Sequence, residues 1–221
     1  MIPRGPLVRR SARIGGWVFA LGSLQFVGAM IAVQAAYPGY SDLANYVSDL
    51  GNPTLSPWAG LFNASIELLG AMGVIGTILV RSAFPPKRSA RGGLFVLAIA
   101  SLGAIGVGLF PETAPELGGR IHDVVSLVVF VASGVALLLL GVAMVRDTRW
   151  DGFRGFTALA GLVTLVALAV YVGGGMNGDL AGLIERVVIA PILLWAIVAG
   201  AHLGRLAVYA PEAARRRPLG Y

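Results

Sequence analysis

Six long apolar runs dominate the chain, separated by short polar segments. About 20 apolar residues is the length an α-helix needs to cross the hydrocarbon core of a bilayer. The pattern predicts spans near Ile14–Ala36, Trp58–Val80, Gly92–Phe110, Ile121–Val145, Phe156–Gly174 and Leu183–Val208. The expected fold class is all-α: one polytopic bundle of six transmembrane helices, with residues 1–221 forming a single domain. Gly70, Gly73 and Gly76, with Gly103 and Gly106, suit close helix packing. The longest connection, residues 37–57, is rich in turn formers. Within it Leu43, Tyr46, Val47 and Leu50 have helix-like spacing. That spacing predicts a short interfacial helix ending at Gly51, lying over the mouth of the bundle.

Composition agrees with this picture and removes several chemistries. The 221 residues are 57% hydrophobic and 13% charged, against about 25% charged in a soluble domain. There is no cysteine, hence no disulfide, thiol nucleophile or thiolate metal site, and the two histidines argue against a three-histidine zinc centre. No phosphate-binding glycine loop, dinucleotide fingerprint or nucleophile elbow occurs. No cofactor and no metal is expected.

Charge sets the expected orientation. Of the 17 basic residues, all but Arg120 and Arg186 cluster at one end of the spans: near the N-terminus, around Arg81–Arg91, around Arg146–Arg154, and from Arg205 onward. The positive-inside rule places both termini in the cytoplasm, in a bacterial inner membrane. The net charge of +6 is then a topology signal, with some attraction to anionic lipid, and no nucleic-acid partner is expected. The first span exceeds the 7–15 apolar residues of a signal peptide, so it is expected to be retained. Most acids lie at the opposite, outer end.

Glu67 is the acid most out of place. It interrupts an apolar span, where a carboxylate costs roughly 2.5 to 3.5 kcal/mol at a helix centre. Asn63 lies four residues away on the same helix face. Two readings stand: an acid lining an outward-opening pocket, or an interhelical contact hydrogen-bonded to Gln25 or a backbone carbonyl. His122 and Asp123 open the fourth span, either as a hydrated helix end or as an acid–base pair. Glu185 and Arg186 open the sixth, where Arg186 is expected to pair with Glu112, Asp123 or Asp49, or to hold an anionic headgroup. Asp49 and Asn45 belong to the long loop, as part of an ordinary cap or of a lid over a cavity. Tyr171, Trp195 and Gln25 are candidate lining residues, and Pro191 frees a backbone carbonyl beside them. His202, beside Arg205, is expected at the interface without a role.

Several motifs resemble a known family. Asn45-Tyr-Val-Ser-Asp-Leu-Gly51, Leu61-Phe-Asn63, Gly108-Leu-Phe-Pro111, Ile121-His122 and Gly182-Leu-Ile-Glu-Arg186 with Trp195 resemble the prokaryotic six-helix membrane family called domain of unknown function 998. A more distant likeness extends to DRAM-type membrane proteins. The resemblance implies six helices and, from the distant relatives, a link to lipid. It also sets Glu67 where the family usually carries an apolar residue. Small intramembrane terpene cyclases look similar in broad design, with carboxylates among a few apolar helices.

Two functions are therefore expected. The first is a metal-independent intramembrane enzyme acting on an isoprenoid by acid catalysis. Glu67 is its proton donor; Asp49, Asp123 or Glu185 steadies positive charge or takes up a proton. Asn63, Asn45, His122, Arg186, Tyr171, Trp195 and Gln25 contact the substrate. The second is a non-catalytic protein that binds, remodels or transports lipid. The sequence leaves the oligomeric state open.

Overall fold

A computed structural model describes residues 7–113 and 117–208. Six helices carry it: α1 (Arg10–Ala36), α2 (Ala59–Val80), α3 (Arg88–Leu109), α4 (Leu117–Met144), α5 (Phe153–Val172) and α6 (Ala181–Arg205). Each is long and apolar enough to cross a membrane. Four of them, α1, α3, α4 and α5, begin three or four residues before the spans expected from hydropathy. Residues such as Arg10, Arg13, Arg88 and Arg91 extend α1 and α3 beyond the apolar stretch, and hydropathy registers only the lipid-embedded part. The helix α1 stops at Ala36, just before Tyr37-Pro38, where proline disfavours helical backbone in its predecessor.

The helices form a closed ring in chain order. Each packs on the next, and α6 returns to pack on α1. Alternation of direction is visible in the glycine contacts. A methyl on Gly15, early in α1, would lie 2.7 Å from Leu79 Cβ at the end of α2. A methyl on Gly16 would lie 3.2 Å from the Cα of Gly200, late in α6. A two-residue parallel pairing of β1 (Leu7–Val8) with β2 (Ala207–Val208) joins the strands that flank α1 and α6.

Large apolar side chains also cover the outside of the ring. Ile78 and Phe95 are each 68% exposed. Such a surface suits lipid and would be an association hazard in water.

The two ends of the ring are built differently. At the basic end, Trp150 stacks between Phe84 (ring centroids 4.8 Å apart) and His202 (5.1 Å), and His202 stacks in turn on Phe153 (4.9 Å). Trp150 Nε1 donates to the Ala83 carbonyl, and His202 Nε2 bonds the Arg149 carbonyl at 2.7 Å. His202 thus ties α6 to the α4–α5 turn, a structural role that its place beside Arg205 did not suggest. Lys87 Nζ donates to the carbonyls of Ala143 and Val145 and so satisfies the end of α4.

At the other end lies the loop of residues 37–58. The expected interfacial helix is reduced to a single 3-10 turn, Ser48–Gly51. Val47 and Leu50 are buried against Phe26, Phe62 and Leu193, while Leu43 is half exposed. The apolar spacing therefore marks anchor points of an irregular loop, not a continuous helix. Two anchors do not supply enough buried face to stabilise a short isolated helix.

Candidate functional site

The loop folds inward because its backbone is tied to buried polar side chains. Glu185, 5% exposed, accepts a 2.6 Å hydrogen bond from the Val47 backbone amide. Its neighbour Arg186 projects about 100° further round α6, and grips the loop from outside. The guanidinium donates to the Tyr40 hydroxyl at 2.6 Å and to the Asn45 carbonyl at 3.1 Å, and pairs with Asp42 at 3.0 Å. The expected partners Glu112, Asp123 and Asp49 are not the ones it takes. The side chain of Asp42 is largely exposed, so the pair adds little by itself. Burial holds the Tyr40 phenol above its ordinary pKa, with the Arg186 charge opposing.

Gly182 makes this docking possible. A methyl built there would run into the Asn45 carbonyl, and the next residue, Leu183, donates its amide to the Leu43 carbonyl at 3.1 Å. Asn45 and Asp49 are spent on the loop itself. Asp49 Oδ2 accepts from the Tyr46 amide at 3.0 Å and from Asn45 Nδ2 at 3.2 Å. From the loop, Val47 and Ser48 face the chamber beneath it, and Tyr46 borders the hollow beside it.

Beneath the loop, three hollows adjoin one another. The outermost, about 320 Å³, is lined by Tyr46, Glu112, His122, Asp123, Tyr171 and Glu185. It adjoins a chamber of about 80 Å³ walled by Phe26, Phe62, Ile66, Val107 and Ile189. Glu185, His122, Ser48, Ser126 and Phe130 belong to both. Leu69, Ala104, Val129, Ile192 and Leu193 are shared between that chamber and a deeper one of about 90 Å³. The deep chamber reaches Ser23, Ser101, Ser133 and Trp195. The sequence of hollows is therefore polar at its mouth and apolar along its length.

His122 and Glu185 form the polar wall. His122 is 5% exposed, and its Nδ1 bonds the Phe110 carbonyl at 2.9 Å. That bond turns Nε2 into the free ring nitrogen. Asp123, one residue on, is exposed and borders the outer hollow alone. Tyr46 bonds the Met176 carbonyl and meets Tyr171 edge to face with centroids 6.2 Å apart. Burial raises the Tyr46 pKa, and the nearby charges of Glu112, Glu185 and Asp49 add to the effect.

Glu67 does not line these hollows. It is half buried on the α2–α3 seam, where a methyl on Gly108 would lie 2.5 Å from its Cγ. Asn63 shares that face and donates to the Gly51 carbonyl at 2.9 Å. The interior face of α2 is set one residue back, at Phe62, Ile66 and Leu69. Gln25 is also a packing residue and does not bond Glu67: its Nε2 donates to the carbonyls of Ser65 (2.8 Å) and Gly22 (3.0 Å). Trp195 reaches the deep chamber, with Nε1 donating to Thr157 Oγ1 at 3.0 Å. Three residues before Pro191, Thr164 Oγ1 donates to the Val188 carbonyl at 3.3 Å and ties α5 to α6.

Sequence reading missed the serines of the deep chamber. Ser101 and Ser23 are small polar residues within apolar runs, and Ser101 Oγ bonds back to the Leu97 carbonyl. Nothing in their spacing distinguishes them from packing residues.

A ring of six membrane-length helices closed at one end by an inward-folded loop defines a polytopic α-helical membrane protein. The chain belongs to the family of proteins of unknown function DUF998, whose pattern it matches over residues 20–202. No curated protein and no solved structure matches it.

Proposed function

We propose that this membrane protein takes the apolar chain of a single lipidic molecule into its interior, with the polar end of that molecule held in the outer hollow beside Glu185 and His122. One observation carries the reading: hollows with common walls run from a polar mouth to an apolar depth. The chambers, about 80 and 90 Å³, are narrow and almost wholly apolar, which favours a slender chain over a bulky group. The charge asymmetry of the loops supports an orientation with the basic end in the cytoplasm and the loop end outside, in a bacterial inner membrane.

A filling substitution tests this. Ala104→Phe projects into the wall common to both chambers. Lipid extracted from the purified protein and identified by mass spectrometry should lose the chain-bearing species in that variant. Equal recovery from both proteins would sink the proposal.

A second reading has its own support. Glu185 is a carboxyl at the junction of the outer hollow and the first chamber, where a group can act as an acid on a bound alkene. The carboxyl proton would pass to one alkene carbon. The cation left on its neighbour would then lose a proton to a base such as His122, giving an isomer. Incubation with a prenyl substrate tests it: an isomerised or cyclised product must form with the wild type and vanish with Glu185→Gln.

A further inference from the structure

A second lipid-facing feature lies at the opposite, basic end, outside the ring. The end of α2, the turn after it and the start of α3 enclose a groove of about 480 Å³. Its upper rim carries Arg81 and Arg91, both exposed. Its lower wall is Ile78 and Phe95, which face the lipid side of the bundle, with the buried Leu94 behind them. No acidic side chain lines it. Among the described residues, neither arginine forms a salt bridge.

The groove is rigidly built. Phe84 at its floor stacks on Trp150, and Pro85-Pro86 follow directly. Thr77 is occupied with the Gly73 carbonyl at 2.8 Å. The nearby Lys87 is committed to the end of α4. Among the described residues, two guanidinium groups are thus left above an apolar wall without an acidic partner.

We propose that this groove binds an anionic phospholipid, with its phosphate between Arg81 and Arg91 and an acyl chain along Ile78 and Phe95. Guanidinium forks match phosphate oxygens in pairs. The apolar wall below selects a phosphate that carries a chain over a free anion. A choline headgroup would bring a cation towards two arginines, so a net negative headgroup such as glycerol phosphate is preferred.

The test is native mass spectrometry of the full-length protein in detergent, with phosphatidylglycerol and phosphatidylcholine added in equal amounts. The wild type should retain phosphatidylglycerol preferentially. The double variant Arg81→Ala/Arg91→Ala should lose that preference by on the order of tenfold, as expected for two charge-assisted contacts. Both positions are exposed, and Arg91→Gln alone should give a smaller loss in the same direction. A control variant, Arg13→Ala/Arg154→Ala, removes the same charge from exposed positions at the same end and should leave the preference intact. The proposal is overturned if the double variant keeps the wild-type preference, or if the control loses as much. It is also overturned if inorganic phosphate at millimolar concentration displaces the lipid completely, which would mark a site for a free anion.

Discussion

The two ends of the bundle solve the same problem, closing a ring of helices, with opposite materials. The basic end is shut by stacked rings: Phe84, Trp150, His202 and Phe153 pack in a row between the helix ends. The loop end is shut by backbone tied to Glu185, Arg186 and Asn63, and it encloses hollows. Stacked rings bury large areas with modest demands on direction. Hydrogen bonds to a buried carboxylate hold a loop in one position, yet lose most of their worth if one partner is removed. The first end is thus built as scaffold, and the second is the end at which the proposed lipid would be admitted.

Substitutions can break that contrast. Trp150→Ala should have the largest effect, a loss of about 3 to 5 kcal/mol from truncating a buried large aromatic, read as a fall in the melting temperature in detergent. Lipid retention by the molecules that remain folded should be unchanged. A loss of retention as large as that from cavity filling would show that the two ends are not separate.

Gly182→Ala comes next. Its methyl meets the Asn45 carbonyl, and forcing the loop away should cost roughly 1 to 3 kcal/mol. Hydrogen exchange should rise across Tyr46–Gly51 and stay constant across Thr148–Trp150. Uniform acceleration across both segments would contradict a local effect.

Glu185→Gln and Glu67→Gln sharpen the comparison within the loop end. The first should reduce retention of the proposed interior lipid by on the order of tenfold, the worth of a hydrogen bond to a charged group. The second should change it by less than about twofold, since Glu67 lies on a helix seam away from the hollows. The reverse order would restore Glu67 as the working acid.

The smallest effect belongs to Asp147. Its hydrogen bonds to Arg149 hold its carboxyl below the usual aspartate value, with the Lys87 charge helping. The sign follows directly: a depressed folded value stabilises the fold above the ordinary aspartate pKa, and that gain is lost as pH falls through the folded value. Asp147→Asn should cost about 0.5 kcal/mol or less at neutral pH, and should flatten the acid limb of the stability curve below about pH 4. An unchanged acid limb would show that the pair does not act as drawn.

The helices were legible in the sequence because lipid imposes a length and an apolar composition on every span. The site was legible only in part. Glu185, His122 and Tyr171 were among the candidates and do meet at one hollow. Glu67 stood out by cost alone, and cost does not report direction: a rotation of 100° per residue separates the seam-facing Asn63 and Glu67 from the interior-facing Phe62 and Ile66. The Arg186 partner was misjudged for a related reason. Asp42 reaches it through the path of an irregular loop, and no periodicity encodes that path.

The ring order has a consequence for how the molecule is made. Among the described residues, five of the six major helix–helix seams join neighbours in the chain, and the α1–α6 seam closes the ring. During synthesis each new helix therefore meets its partner as it enters the bilayer. The interior is enclosed only when the last helix arrives. That helix carries Glu185, so the most deeply buried acid of the mouth enters the membrane when its Val47 partner and the surrounding walls are already waiting.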